Sequence, residues 1–150
     1  MLIRDFTLSD VPEMIELGRK MQEESSFDGL DYDFDKLMAL GETYVANPEV
    51  YYAKVVTHNG VIYAMYVGYI SEYYFSKDLA AFDLLLFVHP DKRGGLAAVR
   101  LIKDFEQWAY ENNAKEIRPA CSTGVKSEMT RQLYESLGYE TVGYTFRKRR

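Results

Sequence analysis

The sequence predicts a layered α/β domain in the order strand, two helices, three antiparallel strands, helix, strand, helix, strand. Three observations carry this expectation. Apolar residues recur at helical spacing in two well-separated stretches, LSDVPEMIELGRKMQEES and VRLIKDFEQWAYENN. Between them the period changes in EVYYAKVVTHNGVIYAMYVGYISEYYF, a tract rich in tyrosine and valine and broken by His58-Asn59-Gly60, a hairpin signal. The 150 residues, 47% apolar, are enough to bury one core, and no repeat or low-complexity linker divides them, so one domain over 1–150 is expected.

Each element has its own warrant. MLIRDF suits a short first strand. Val11, Met14, Ile15, Gly18 and Met21 share one face of the first helix, with Ser9 or Asp10 as cap and Pro12 tolerated in the first turn. A second helix is expected from about Asp33 to Val45, joined to the first by the acidic loop SSFDGLDYD. Strands follow near Val50 to Thr57 and Val61 to Ser71, and a loop around Lys77-Asp78 leads to a third, Ala80 to Val88. The next helix has the strongest apolar stripe, Leu101, Ile102, Phe105, Trp108 and Ala109, and ends at Asn112-Asn113. KEIRPACS reads as a short strand, VKSEMTRQLYESLG as a helix closed by Gly138, and YETVGYTFRKRR as a final strand or hairpin.

Composition excludes several classes of function. No run approaches the roughly 18 apolar residues of a membrane span, and MLIRDFTLSD lacks the layout of a signal peptide, so a cytoplasmic setting is the default. One cysteine, Cys121, forbids an internal disulfide, and with His58 and His89 it makes no zinc spacing, so no metal is expected. Cys121 reads as a buried residue closing a strand. The net charge of −5 is uneven. Between Met21 and Ala53 eight acids face only Lys36, which leaves that window at −7 and the remainder near +2. No broad basic face that would coat nucleic acid is visible.

The segment VHPDKRGGLAA, residues 88 to 98, needs explaining. Gly94 and Gly95 stand just before a helix, where glycine costs about 1 kcal/mol relative to alanine once it is helical. A glycine turn from strand into helix presents unpaired amides backed by the positive end of the helix dipole, a setting for phosphate. Small residues there, including Ala97 and Ala98, admit a pyrophosphate, while Lys92 and Arg93 add charge at the rim. The same glycines also serve a plain turn. The spaced glycines of a dinucleotide fold and the Gly-Lys-Ser/Thr of a P-loop are both absent.

What the segment resembles is motif A of the GNAT superfamily of N-acetyltransferases, Gln/Arg-x-x-Gly-x-Gly/Ala after the fourth strand, here Lys92-Arg93-Gly94-Gly95-Leu96-Ala97 with lysine in first place. LYESLGYETVGY resembles the family's motif B, and the order of elements along the whole chain is similar too. The resemblance implies a GNAT fold: a mixed, mostly antiparallel sheet of six to seven strands flanked by about four helices and splayed between the fourth and fifth strands. It also implies acetyl-coenzyme A as cosubstrate, lying in that splay. The pantetheine arm and thioester would meet amides near Phe87 and Val88. The pyrophosphate would meet those of Arg93, Gly94, Gly95, Leu96, Ala97 and Ala98, with Lys92 beside them and Ser122 as a looser contact.

The implied activity is acetyl transfer to a primary amine of a small cationic metabolite or a protein, in the manner of stand-alone bacterial or bacteriophage GNAT proteins. Tyr134 matches the family's thiolate acid, although its place beside Leu133 and Leu137 also suits a core aromatic. Asp83 and Glu72 are the candidate bases, acting through water, although an acid at either place is more often a solvated charge. The first two helices and their loop would form the acceptor wall, with Phe27, Asp31, Tyr32 and Asp33 as candidate contacts. An acidic wall there concentrates cations. Expected partners are acetyl-coenzyme A and an amine, with a homodimer admitted and neither membrane nor nucleic acid expected. The alternative is a non-catalytic GNAT-like binding module, a phage accessory or virion protein that holds a partner or coenzyme A.

Overall fold

A computed structural model describes residues 1–150. The elements run β1 (Leu2–Asp5), a 3-10 turn (Leu8–Asp10), α1 (Val11–Glu24), α2 (Phe34–Ala46), β2 (Tyr51–His58), β3 (Val61–Glu72), β4 (Leu79–Val88), a second 3-10 turn (Pro90–Lys92), α3 (Ala97–Glu111), β5 (Ala114–Arg118) and α4 (Ser127–Ser136). The five strands make one sheet in chain order, antiparallel except for the parallel pair β4 and β5. The strand count is therefore lower than the six to seven expected. Residues 139–150 carry no strand, although Val142, Tyr144 and Phe146 alternate as a strand would. Pro119 ends β5 after five residues, because proline has no amide for a ladder, and this leaves little free edge to recruit another strand.

Local chemistry sets the element ends. Asn59 and Gly60, with φ of 52° and 76°, form the tight turn between β2 and β3. Asp33 caps α2 by accepting from the Lys36 amide at 2.9 Å. Before α1 the Thr7 amide donates to Asp10 at 2.7 Å, and Arg4 grips the same carboxylate with bonds of 2.7 and 3.0 Å, tying β1 to the helix start. That grip holds the Asp10 carboxyl down at about 2.

Strand alternation sends the two faces of the sheet into two cores. Val55, Met65 and Val67 pack with Met14, Ile15 and Leu17 of α1, while Val56, Ala64 and Tyr66 pack with Leu101, Ile102 and Phe105 of α3. Burial on both faces is why the hairpin sequence is so continuously apolar. Several of its tyrosines belong to this core. Tyr66 stacks on Phe105 at 4.6 Å, and Tyr52 meets both rings edge-on and donates its hydroxyl to Asp104 at 2.9 Å. No helix is long and apolar enough to cross a membrane.

One close approach positions the site. The β3–β4 ladder shifts register between Val67 and Gly68, so that Val67 faces Leu85 while Gly68 faces Asp83, and Leu84 is the extra residue of a bulge. Phe105 fills the space above Gly68, where a Cβ would stand 2.4 Å from its ring and 2.8 Å from the Phe82 carbonyl oxygen. Gly68→Ala is expected to destabilise the fold by about 1 to 3 kcal/mol through overpacking. Urea unfolding would check this, and an unchanged midpoint would show that both the Phe105 ring and the Phe82 carbonyl give way freely.

Candidate functional site

The sheet splits at Asp83. Parallel pairing of β4 with β5 ends at Phe82 and Arg118, and β4 then continues alone to Val88 while the other chain turns off through Pro119. The Asp83 carboxylate stands in the crotch of this fork and accepts from the Ala120 amide at 3.0 Å. The edge of β4 beyond it is open. The His89 amide donates to Tyr63 across the β3 ladder, so alternation turns the amide of Phe87 toward β3 and those of Leu86 and Val88 toward the fork. Of the two backbone contacts named from the sequence, Val88 thus faces the fork. Phe87 does not, and it contributes a buried side chain instead.

The glycine turn closes one end of the fork. No backbone or side-chain acceptor pairs with the amides of Arg93 to Val99, a run containing Gly94, Gly95, Leu96, Ala97 and Ala98, and α3 begins with no side-chain cap. They stand free at the positive end of a fifteen-residue helix, a setting that suits an anion. The two glycines differ in kind. Gly94 adopts φ +89°, which the turn itself demands. Gly95 has no such φ, and a Cβ there would meet only the Lys92 carbonyl at 3.7 Å, so folding does not require glycine at this position. Arg93 offers its amide only. Its guanidinium donates to the Val88 carbonyl at 3.0 Å, pairs with Glu24 at the end of α1, and lies over the Phe87 ring at 5.3 Å.

Beneath the fork lie two phenols, Tyr66 and Tyr134, the latter only 8% exposed. Burial raises the Tyr134 phenol above its ordinary range, and the neighbouring Asp83 charge raises it further. Burial also pushes the Asp83 carboxyl up to about 6, against the opposing effect of the Ala120 bond. The two groups the sequence paired, one as acid and one as base, are therefore electrostatic neighbours, and both are biased toward holding a proton.

The loop between α1 and α2 crosses the mouth of the fork. Ser26 donates from its amide to the Thr123 carbonyl at 2.6 Å and from its hydroxyl to the Ser122 carbonyl at 3.0 Å. Gln22 organises the loop from within by donating to the carbonyls of Phe27 and Leu30 at 2.9 and 2.8 Å. Phe27 and Asp31 are exposed on this loop. Tyr32 and Asp33 have structural duties there: the Tyr32 hydroxyl donates to the Ile15 carbonyl at 2.6 Å, and Asp33 is the α2 cap.

Other candidates lie apart. Glu72 pairs with Leu79 at the start of β4, four residues from Asp83 on a strand rising about 3.4 Å per residue, and so stands roughly 13 Å from the fork. It is not part of this cluster. Cys121 is exposed rather than buried, because β5 ends before reaching it. His89 accepts from the Asp91 amide at 3.1 Å and serves the turn. Glu24, Gln22 and Ser26, which assemble the site, gave no signal in the sequence beyond the acidity of their region.

No protein-family model matches the sequence, and no curated protein matches it. Solved structures do. A predicted acetyltransferase with acetyl-CoA from Clostridium acetobutylicum is 16% identical with a TM-score of 0.79, over 99% of this chain and 95% of that one. The aminoglycoside N-acetyltransferase AAC(6')-Iy, bound to the bisubstrate analogue CoA-S-monomethyl-acetylneamine, is 17% identical with a TM-score of 0.76, over 99% and 97%. A ribosomal-protein-alanine N-acetyltransferase from Brucella melitensis is 17% identical with a TM-score of 0.71, over 99% of each chain. The chain has the GNAT fold that these acetyltransferases share.

The raised Asp83 carboxyl has a stability consequence. Its folded value of about 6 exceeds the ordinary 3.8, so the folded state binds more protons than the unfolded state between these limits, and stability falls as pH rises through that window. Asp83→Asn is expected to leave stability unchanged near pH 4 and to raise it above pH 7 by up to about 3 kcal/mol, at 1.36 kcal/mol per pKa unit. Thermal melts across pH 4 to 8 would read this, and a constant gap at every pH would remove the desolvation account.

Proposed function

We propose that the chain is an acetyl-coenzyme A-dependent N-acetyltransferase acting on a primary amine of a cationic small molecule or protein. The observation that carries this reading is the row of unpaired amides from Arg93 to Val99 opening on the fork where Asp83 and Tyr134 meet. The solved structures of like fold support it, being named for transfer to amines of an aminoglycoside or of ribosomal-protein alanine.

Acetyl-coenzyme A suits the residues present. The amide cradle would take its pyrophosphate, Gly95 leaves that approach clear, and the open β4 edge at Leu86 and Val88 would pair with the amides of its pantetheine arm. When bound it supplies an acetyl group activated as a thioester. The chain's own groups position and move protons. Of the fork-facing amides, that of Leu86 is nearer Asp83 and would hold the thioester oxygen as negative charge builds on it, leaving that of Val88 to the pantetheine arm. Asp83 is ionised above neutral pH yet basic enough to take a proton from the incoming ammonium through water. Tyr134 carries its proton at neutral pH, as an ordinary phenol does, and would donate it toward the departing sulfur. The acidic α1–α2 loop raises the local concentration of a cationic acceptor.

Gly95→Glu tests the cradle. Because nothing in the fold crowds a side chain at this position, circular dichroism and the melting temperature should stay near wild type, whereas thermal stabilisation by coenzyme A should vanish. Wild-type affinity for coenzyme A in this variant would overturn the assignment. In wild type, coenzyme A at 100 times its Kd should add about 2.7 kcal/mol.

Tyr134→Phe tests the acid. The ring and its packing stay, so cofactor affinity and fold should be kept while kcat falls by about 10²-fold, the lower end for general acid assistance because a thiolate leaves readily. Free thiol release at the wild-type rate from pH 6 to 9 would reduce Tyr134 to a core residue.

A further inference from the structure

Residues 139–150 form neither helix nor strand, and Tyr144 and Phe146 are 84% and 89% exposed, yet the far part of the segment is anchored. Arg147 donates to the Ser26 carbonyl. Arg149 donates to the carbonyls of Ser26 and Asp28, both at 2.7 Å, and its guanidinium stands 3.5 Å from the Asp28 carboxylate. Gly29, at φ +83°, turns the chain just beyond this group of acceptors. The same Ser26 is bound by its amide and hydroxyl to Thr123 and Ser122 across the mouth of the fork. Three oxygen acceptors therefore converge on a guanidinium at the opening of the candidate site, within the most acidic window of the chain.

We propose that the loop at residues 26–28 is a receptor for a cationic amine or guanidinium group, and that Arg147 and Arg149 fill it as an internal competitor. A cationic acceptor and the 147–149 segment then hold this loop in turn. The chemistry favours exchange over a permanent latch. The Arg149 and Asp28 side chains are 45% and 62% exposed, and pairs of that kind contribute little and weaken with salt. What keeps the arginines docked is tethering, which supplies an effective concentration of order millimolar. A free cation must therefore reach about that concentration, or bind by more than one charge, to displace them. A polyamine or a basic peptide meets that requirement better than a lone amine. The inference rests on the acetyltransferase reading only in taking the displacing cation to be the acceptor.

The test needs no turnover. Arg147→Ala/Arg149→Ala changes two exposed side chains and should leave the fold intact. The peptide acetyl-Phe-Arg-Lys-Arg-Arg-amide would be titrated into wild type and the double variant at low salt, with the amide NMR signals of Ser26, Gly29 and Thr123 as readout. The expected result is that the peptide binds the double variant about 5- to 10-fold more tightly than wild type, as removal of a tethered competitor requires. Those three signals should move, Asp28→Asn in the same background should weaken binding, and 0.5 M salt should abolish it, on the order of a 4 Å screening length. Spermidine should shift the same signals. Equal binding to both proteins, no binding to the double variant, or shifts confined to other residues would overturn the proposal. Failure to acetylate any amine would instead count against the enzymatic reading, because the peptide titration does not depend on it.

Discussion

The parting of β4 from β5 after Phe82 and Arg118 is the constraint on which the candidate site depends, and it arises from backbone chemistry. A parallel ladder persists only while both strands offer amides in register. Pro119 withdraws one amide, and the bulge at Leu84 bends the other strand at nearly the same level. The Asp83 carboxylate then takes the Ala120 amide that the ladder no longer serves. What remains is a strand edge whose outward backbone groups have no ladder partner. Gly68 and Phe105 belong to the same constraint, because the bulge is tolerated only where the glycine opposite lets α3 lie against the sheet.

The elements around the fork are tied to one another across its rim. Arg93 joins the end of β4 to Glu24 at the end of α1, so the glycine turn before α3 and the loop following α1 are held in one arrangement. Ser26 then carries that loop across to Ser122 and Thr123 beyond β5. The outer chain between β5 and α4 is thus joined to the α1 side of the molecule, although the two are far apart in sequence. Arg147 and Arg149 arrive at the same loop from the segment after α4. The acidic window is accordingly not bare: part of its charge is already answered by cations of the chain.

Burial sets the proton chemistry beneath this rim. Asp83 and Tyr134 are raised chiefly by desolvation, and the carboxylate charge adds to the phenol's shift. A carboxyl at about 6 and a phenol above its ordinary range thus stand side by side under the rim. That result depends on low solvent access more than on any specific charged partner. Glu72, a carboxylate of the same strand pair, lies exposed where the β3–β4 ladder begins, away from this buried cluster.

Much of the architecture was legible in residue order alone. Helical periodicity located α1, α2, α3 and α4, the Asn59-Gly60 turn located the β2–β3 hairpin, and the glycines before α3 marked the amide cradle, because each is governed by neighbours within a few residues. Local pattern also overreached. The alternating segment after Tyr139 reads as a strand, but a strand exists only with a ladder partner, and β5 is too short to provide one. Which of two carboxylates reaches the fork, which side of β4 presents its amides, and whether Asp33 and Tyr32 line a wall or hold it were decided by register and by packing between distant segments. The sequence by itself determined which residue types were available and where the chain would turn. Only the tertiary structure decided which of them meet, because strand register, the bulge and the bonds across the fork join residues whose separation along the chain carries no trace of their contact.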